Sequence, residues 1–257
     1  MTSMGTSTKD SWRQRFSTLD SVAPKNLSDN SILFFAQRSG PPYADELDAM
    51  WVSMKHNKVT LNGYSGLFPP EYDYEYGSDC AQIPKRVLSY LRFSNQSENI
   101  AAYRDIMSRI VPVGFSDCAT AWLQSPPSIT VSDRVYSVDE FKHLKFGAGE
   151  VFTNSNQMMI RINIQNSSDQ AFASGSSLGK PIRISWRFID SSGRPMSGWD
   201  NRKNLPFDIP AQGKLEMVIP FNDSDLRNAK AVEISLVQEL VFWAHDIGLK
   251  TALINLK

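Results

Sequence analysis

The chain has 257 residues, of which 41% are hydrophobic, 21% charged and 11% aromatic. That is the composition of a folded protein with room for one large or two ordinary domains, and it excludes a disordered chain. Lysine plus arginine and aspartate plus glutamate both total 27, so no net field draws in nucleic acid or an anionic membrane.

Residues 1–19 are expected to form a disordered leader, opening with the Ser-, Thr- and Gly-rich Met1–Lys9. Met1 to Asp20 lacks the apolar centre of a signal peptide, and no apolar run approaches the roughly 18 to 20 residues that span a bilayer. Ser31 to Ala36 is a short apolar run that ends at Ser39-Gly40-Pro41-Pro42, which predicts a buried strand and then a loop. From Asp45 to Met54, Leu47, Met50, Trp51 and Met54 recur at helical spacing, and the expected helix buries Trp51. Val59-Thr60-Leu61 predicts a second strand that delivers the chain into the segment Leu61–Gly77. That loop then sits at a strand's carboxyl end, where open α/β sheets place ligands.

The loop is the most specified stretch of the sequence. Asn62-Gly63 favours positive φ, Gly66 permits close approach of a ligand or backbone, and Pro69-Pro70 forces an extended path. From Tyr72 to Tyr76, tyrosines alternate with Asp73 and Glu75, so rings fall on one side of an extended chain and carboxylates on the other. Rings beside carboxylates and amides suit a sugar, since the rings stack on its apolar faces and the oxygens accept its hydroxyl hydrogens. The candidate ligand-binding residues are therefore Asn62, Gly63, Tyr64, Ser65, Gly66, Tyr72, Asp73, Tyr74 and Glu75, with His56 next to the loop.

Beyond the loop, Pro84 to Phe93 and Glu98 to Ile110 predict two amphipathic helices, and Val111 to Phe115 a strand. Alternating strands and helices predict a small α/β layer domain over residues 20–125, with a boundary at Ser125-Pro126-Pro127-Ser128. Residues 126–257 change texture. Met158–Ile164, Ile182–Phe188, Lys214–Ile219 and Ala231–Leu236 alternate with period two between turn-forming residues such as Asp190–Gly193, which predicts an antiparallel β-sandwich. The fold class expected for the whole chain is α+β.

Other chemistries find little support. His245-Asp246 is the one histidine beside a carboxylate, and neighbours on a strand point to opposite faces, which suits a base and its orienter poorly. Neither a Gly-x-Ser-x-Gly nor a Gly-x-Gly-x-x-Gly pattern is present, so neither a serine hydrolase nor a nucleotide cofactor is supported, and no cofactor is expected. Asp73, Glu75 and Asp79 lack the glycine and terminal glutamate of a calcium loop, and no metal is expected. Cys80 and Cys118, if paired, close a loop of about forty residues, contributing roughly 4 kcal/mol in the chain-entropy model and indicating an oxidising compartment. Two free thiols are the alternative.

Met50-Trp51-Val52-Ser53, followed by Asn62-Gly63-Tyr64-Ser65-Gly66 and Pro69-Pro70, resembles the soluble portion after the last membrane span of bacterial polytopic glycosyltransferases related to the protein mannosyltransferases. The resemblance is strongest over residues 31–93. It implies a periplasmic or extracytoplasmic domain that accompanies a membrane glycosyltransferase and meets a glycan or lipid-linked sugar. That family's catalytic carboxylates lie among membrane helices which this chain lacks, so the chain is expected to be non-catalytic by itself. Residues 157–257 also resemble the immunoglobulin-like β-sandwiches appended to bacterial surface-polysaccharide proteins, through Ser185-Trp186-Arg187-Phe188, Leu205-Pro206, Pro210–Gly213, Leu236–Glu239, Phe242-Trp243 and Asp246–Gly248. The alternatives are a protein–protein scaffold module of an envelope assembly, and a carboxylate-dependent glycan enzyme centred on Asp73, Glu75 and His56.

Overall fold

The computed structural model of the chain describes residues 8–36, 42–64, 80–115, 118, 126–154, 157–221 and 226–256. It is mixed helix and sheet, 26% helical and 33% strand. Two compact units meet in sequence at Pro126 and Pro127.

The first unit contains α1 (Lys9–Val22), β1 (Ile32–Phe35), α2 (Pro42–Lys55), β2 (Val59–Thr60), α3 (Gln82–Phe93), α4 (Ile100–Arg109) and β3 (Ile110–Val113). Its three strands are parallel in the order β2-β1-β3. Alternation along β1 sends side chains to two cores. Leu33 and Phe35 pack with Leu19, Ala49, Val52 and Val113 on the α1 and α2 side, and Phe34 packs with Val87, Leu91, Tyr103 and Met107 on the α3 and α4 side. Helix ends follow local chemistry: Thr8 caps α1 by accepting from the Ser11 N–H at 3.2 Å, and Asn99 caps α4 by accepting from the Ala102 N–H at 2.9 Å. Both α2 and α3 stop at an asparagine with positive φ, Asn57 and Asn95. Each closes a Schellman motif, in the first case through Lys58 N–H to the Ser53 carbonyl and Asn57 N–H to the Met54 carbonyl.

Two expectations are corrected here. The leader expected over residues 1–19 is helical from Lys9, because Phe16, Leu19 and Ala23 form a stripe that packs on β1 and α2. Trp51, expected to be buried, is 58% exposed. The buried face of α2 is instead the small-residue side, Ala49, Val52 and Ser53, which lets the helix lie close against β1 and leaves Trp51 and Met54 outside.

The second unit begins with β4 (Val131–Ser132), the short α5 (Val138–Phe141), β5 (Leu144–Phe146), β6 (Glu150–Asn154), β7 (Gln157–Asn166) and β8 (Gly175–Ser176). It continues through β9 (Ile182–Asp190), β10 (Asn201–Asn204), β11 (Lys214–Pro220), β12 (Ala229–Gln238), β13 (Phe242–Trp243) and β14 (Ala252–Asn255). One antiparallel sheet runs β10-β9-β12-β13 with β14 also on β12, and a second runs β11-β7-β5 with β6 also on β7. Their apolar faces meet: Phe221, just past β11, touches Trp186 and Phe188 of β9 with ring centroids 6.3 and 5.2 Å apart. Buried Asp208 ties the approach to β4 to this unit, accepting from the Thr130 and Ser174 N–H groups at 3.0 and 2.8 Å and from three hydroxyls. Burial opposes its charge, but these donors outweigh that and hold the carboxyl below its ordinary range.

Candidate functional site

The loop that follows β2 is fixed from below by a buried charge pair. The Arg86 guanidinium donates to both Glu46 oxygens at 2.9 and 2.6 Å, and the two side chains are 1% and 0% exposed. Each also reaches the loop: Arg86 donates to the Leu61 carbonyl at 3.2 Å, and Glu46 accepts from the Gly63 N–H at 2.6 Å. A buried ion pair offsets its own desolvation only with such further hydrogen bonds, so the pair acts as a positioning device. Asn62 completes the mount. Its amide copies a strand partner, accepting from the Phe35 N–H at 2.7 Å and donating to the Phe35 carbonyl at 3.1 Å. Two residues further on, Tyr64 reaches the surface 45% exposed, its ring 5.7 Å from that of Tyr43, itself 47% exposed in the first turn of α2.

Several sequence-based expectations change on this geometry. Asn62 is 4% exposed and its amide is committed to Phe35, so it positions the loop instead of meeting a ligand. His56 does not join the site. It lies just past the far end of α2 from Tyr43, about 20 Å away at 1.5 Å per residue, and its Nε2 is 2.9 Å from Asp20 of α1. Asp20 is held below its ordinary value by hydrogen bonds from Lys55 and then His56. Ser65, Gly66, Tyr72, Asp73, Tyr74 and Glu75 lie outside the described residues. Cys80 and Cys118 are joined by a disulfide with Cα atoms 5.3 Å apart, which links the segment entering α3 to the segment after β3. Tyr43 was missed by the sequence reading. Its signal was its place at the start of an amphipathic helix, which points a first-turn ring toward the strand ends.

A second aromatic cluster lies on the β9–β12 sheet of the other unit. Residues opposite one another across strands share a face, and this register places Arg187, Ser185, Ser235, Arg202 and Trp243 together on the side away from the core. The small Ser185–Ser235 pair leaves room above it for Trp199 and His245. Trp199 stacks on His245 at 4.8 Å with Arg187 at 4.5 Å over its ring, and Arg202 lies over Trp243 at 5.0 Å. These rings are engaged by their own neighbours.

His245 sits in the turn after β13, not on a strand as expected, with Nδ1 2.8 Å from the Ser235 hydroxyl and Nε2 3.8 Å from Asp246. The trio imitates a nucleophile, base and acid, yet Ser235 is 1% exposed and no substrate reaches it. Among the described residues no group of three metal-binding side chains converges, and no helix is long and apolar enough to cross a membrane. No protein-family model matches the chain, and neither does any curated protein.

Proposed function

We propose that this chain is a non-catalytic module that binds a glycan, or the sugar end of a lipid-linked sugar, in the assembly of bacterial envelope polysaccharide or glycoprotein alongside a membrane glycosyltransferase. The observation that carries the reading is the Tyr43–Tyr64 pair, two tilted rings each nearly half exposed at the carboxyl end of a parallel sheet. A ring that stacks on a sugar contributes about 0.5–1.5 kcal/mol beyond the area it buries, and the Glu46–Arg86 mount removes part of the ordering cost. The disulfide supports an oxidising, extracytoplasmic compartment. The two facing antiparallel sheets support an immunoglobulin-like β-sandwich as the partner unit.

One observation favours the scaffold reading as a second. Leu240, between β12 and β13, is 85% exposed at φ 57, a place where glycine or asparagine is unstrained and a polar residue is better solvated. Two local rules broken by one leucine suit a contact with another protein.

The test is a glycan array probed with the purified chain and with Tyr43→Ala and Tyr64→Ala. The expected result is retention of a defined glycan class that each substitution weakens several-fold while thermal stability stays within about 0.5 kcal/mol. A folded chain that retains nothing, or variants that retain as much as the parent, would remove the reading.

A further inference from the structure

Among the described residues β14 pairs with β12 alone, along residues 231–234, and so forms an edge of the larger sheet of the second unit. Its register fixes which main-chain groups that edge presents. The Leu256 N–H donates to the Lys230 carbonyl at 2.9 Å, which makes Ile254 with Val232 and Ala252 with Ile234 the next hydrogen-bonded pairs. Leu253 and Asn255 fall between them, opposite Glu233 and Ala231, and turn their N–H and C=O groups away from β12 toward the open edge.

Sheets guard such edges with charge, proline, a bulge or shortness. The other edges of the two large sheets follow that rule. β5 carries Lys145, β6 Glu150, β10 Arg202 and Lys203, and β11 Lys214, Glu216 and Pro220, while β13 has two residues. β14, with Ala252, Leu253, Ile254 and Asn255, is longer than β13 and carries neither charge nor proline. Leu253, on its outer face, is 65% exposed.

Beside this edge lies a groove of about 510 Å3, lined by Gly149, Val151, Leu253, Ile254, Asn255 and Leu256. It opens between β14 and β6, an edge of the other sheet. Val151 lies opposite buried Ile160 and shares its face, and Ile254 is buried as well, so both side chains are directed between the sheets. At Gly149, just before β6, the two edges close on each other: a side chain there would run into Ile254 Cδ1. Of the lining side chains only Asn255 is polar, so the remaining polar surface of the groove is main chain. Open main chain beside apolar side chains is what an added strand completes.

Size and shape select the occupant. Two copies joined edge to edge would meet along four residues, about 14 Å at about 3.4 Å per residue, which falls well short of the roughly 800 Å2 per partner of a stable interface. The second copy's Ile254 and Leu256 would also stay turned into its own core and leave the groove unfilled. A separate extended peptide has both of its faces free, and a lining without charge favours an uncharged one. We propose that the β14 edge captures an extended, uncharged peptide segment of a partner protein as an added strand. The peptide pairs with the Leu253 and Asn255 main chain and seats alternate apolar side chains in the groove. This site rests neither on the tyrosine pair nor on the glycan reading.

The test is selection on the whole chain from a phage-displayed library of random ten-residue peptides, followed by amide NMR titration with a selected synthetic peptide. The selected peptides are expected to alternate apolar residues without charge, to move the Leu253 and Asn255 amides and to protect both from hydrogen exchange. N-methylation at every second peptide residue should abolish binding and at the intervening residues should spare it, a pattern that side-chain docking would not give. Leu253→Pro and Asn255→Pro each remove an N–H that β12 does not use, so the fold should survive and binding should fall at least about fivefold. Tyr43→Ala with Tyr64→Ala should leave peptide binding unchanged, and the glycan array fails or succeeds separately. A library that yields no binder, binders that leave the Leu253 and Asn255 amides unmoved, an N-methyl scan without alternation, or a folded proline variant that still binds would overturn the site. Dimerisation in sedimentation that Leu253→Pro abolishes would give the edge to a second copy and overturn the peptide as its occupant.

Discussion

Tyr43 and Tyr64 stand nearly half exposed over backbone pinned by Glu46, Arg86 and Asn62, whereas Trp199 is engaged by the Arg187 guanidinium and the His245 ring. Both units thus carry rings beside charged groups, and a composition-based reading would rate them alike. The difference lies in what the charges touch. In the first unit the charges bind backbone beneath the rings, which stand nearly half exposed. In the second they lie on the rings, stabilise the outer face of the sheet by about 0.5–2 kcal/mol per contact, and leave little surface for a ligand. The proposed assignment of the binding surface to the first unit rests on that difference in what the charges touch.

The largest expected effect comes from removing the mount. Glu46→Gln removes the carboxylate charge that faces the buried Arg86 guanidinium, which should cost about 3–5 kcal/mol in urea denaturation followed on the first unit, with glycan retention lost along with it. A cost under about 1 kcal/mol would mean that the loop does not depend on the pair.

A smaller effect separates the units by pH. The Arg134 guanidinium, together with the Ser137 backbone N–H and hydroxyl, lowers the Glu140 carboxyl from an ordinary 4.5 to about 2, against an opposing effect of burial. Glu140 closes the capping box of α5 and so helps to hold the fully buried Phe141. A depressed folded-state value means that its contribution is present above pH 4.5 and is lost as pH falls toward 2. Glu140→Gln should cost about 1 kcal/mol at neutral pH and should flatten the acid limb of the second unit's stability curve over that interval. An unchanged acid limb would show that Glu140 does not carry it.

The smallest effect is expected at Tyr103, which is 1% exposed with a hydroxyl that lacks a partner among the described residues, and whose titration burial pushes upward. Tyr103→Phe should leave stability within about 0.5 kcal/mol of the parent or raise it, since removing an unpaired buried hydroxyl restores what its desolvation cost. A loss above about 1 kcal/mol would reveal a hydrogen bond that this account omits.

What the sequence made legible was whatever is local. Period-two runs such as Ile182–Phe188 and Lys214–Ile219 are strands in the structure because alternation needs only the strand's own residues. What escaped depends on partners far along the chain. Glu46 and Arg86 are 40 residues apart, and nothing in either neighbourhood predicts a buried pair. His56 is close to Asn62 in sequence, but a helix that runs back along the sheet puts it at the opposite end. Trp51 looked like a core residue on hydrophobicity, whereas the close fit of α2 on β1 selected Ala49 and Val52 instead. The α1 stripe of Phe16, Leu19 and Ala23 was readable with Thr8 as its cap, but the polar residues between them disguised it as a leader.

The most direct test of the contrast between the two clusters is a crossed measurement of glycan retention and melting temperature on Tyr43→Ala/Tyr64→Ala and on Trp199→Ala. The tyrosine variant should lose retention and keep its melting temperature. The tryptophan variant should keep retention and lose roughly 1–3 kcal/mol of stability. The reverse pattern, with retention lost at Trp199 and stability lost at the tyrosines, would place the binding surface on the β9–β12 sheet and contradict the account.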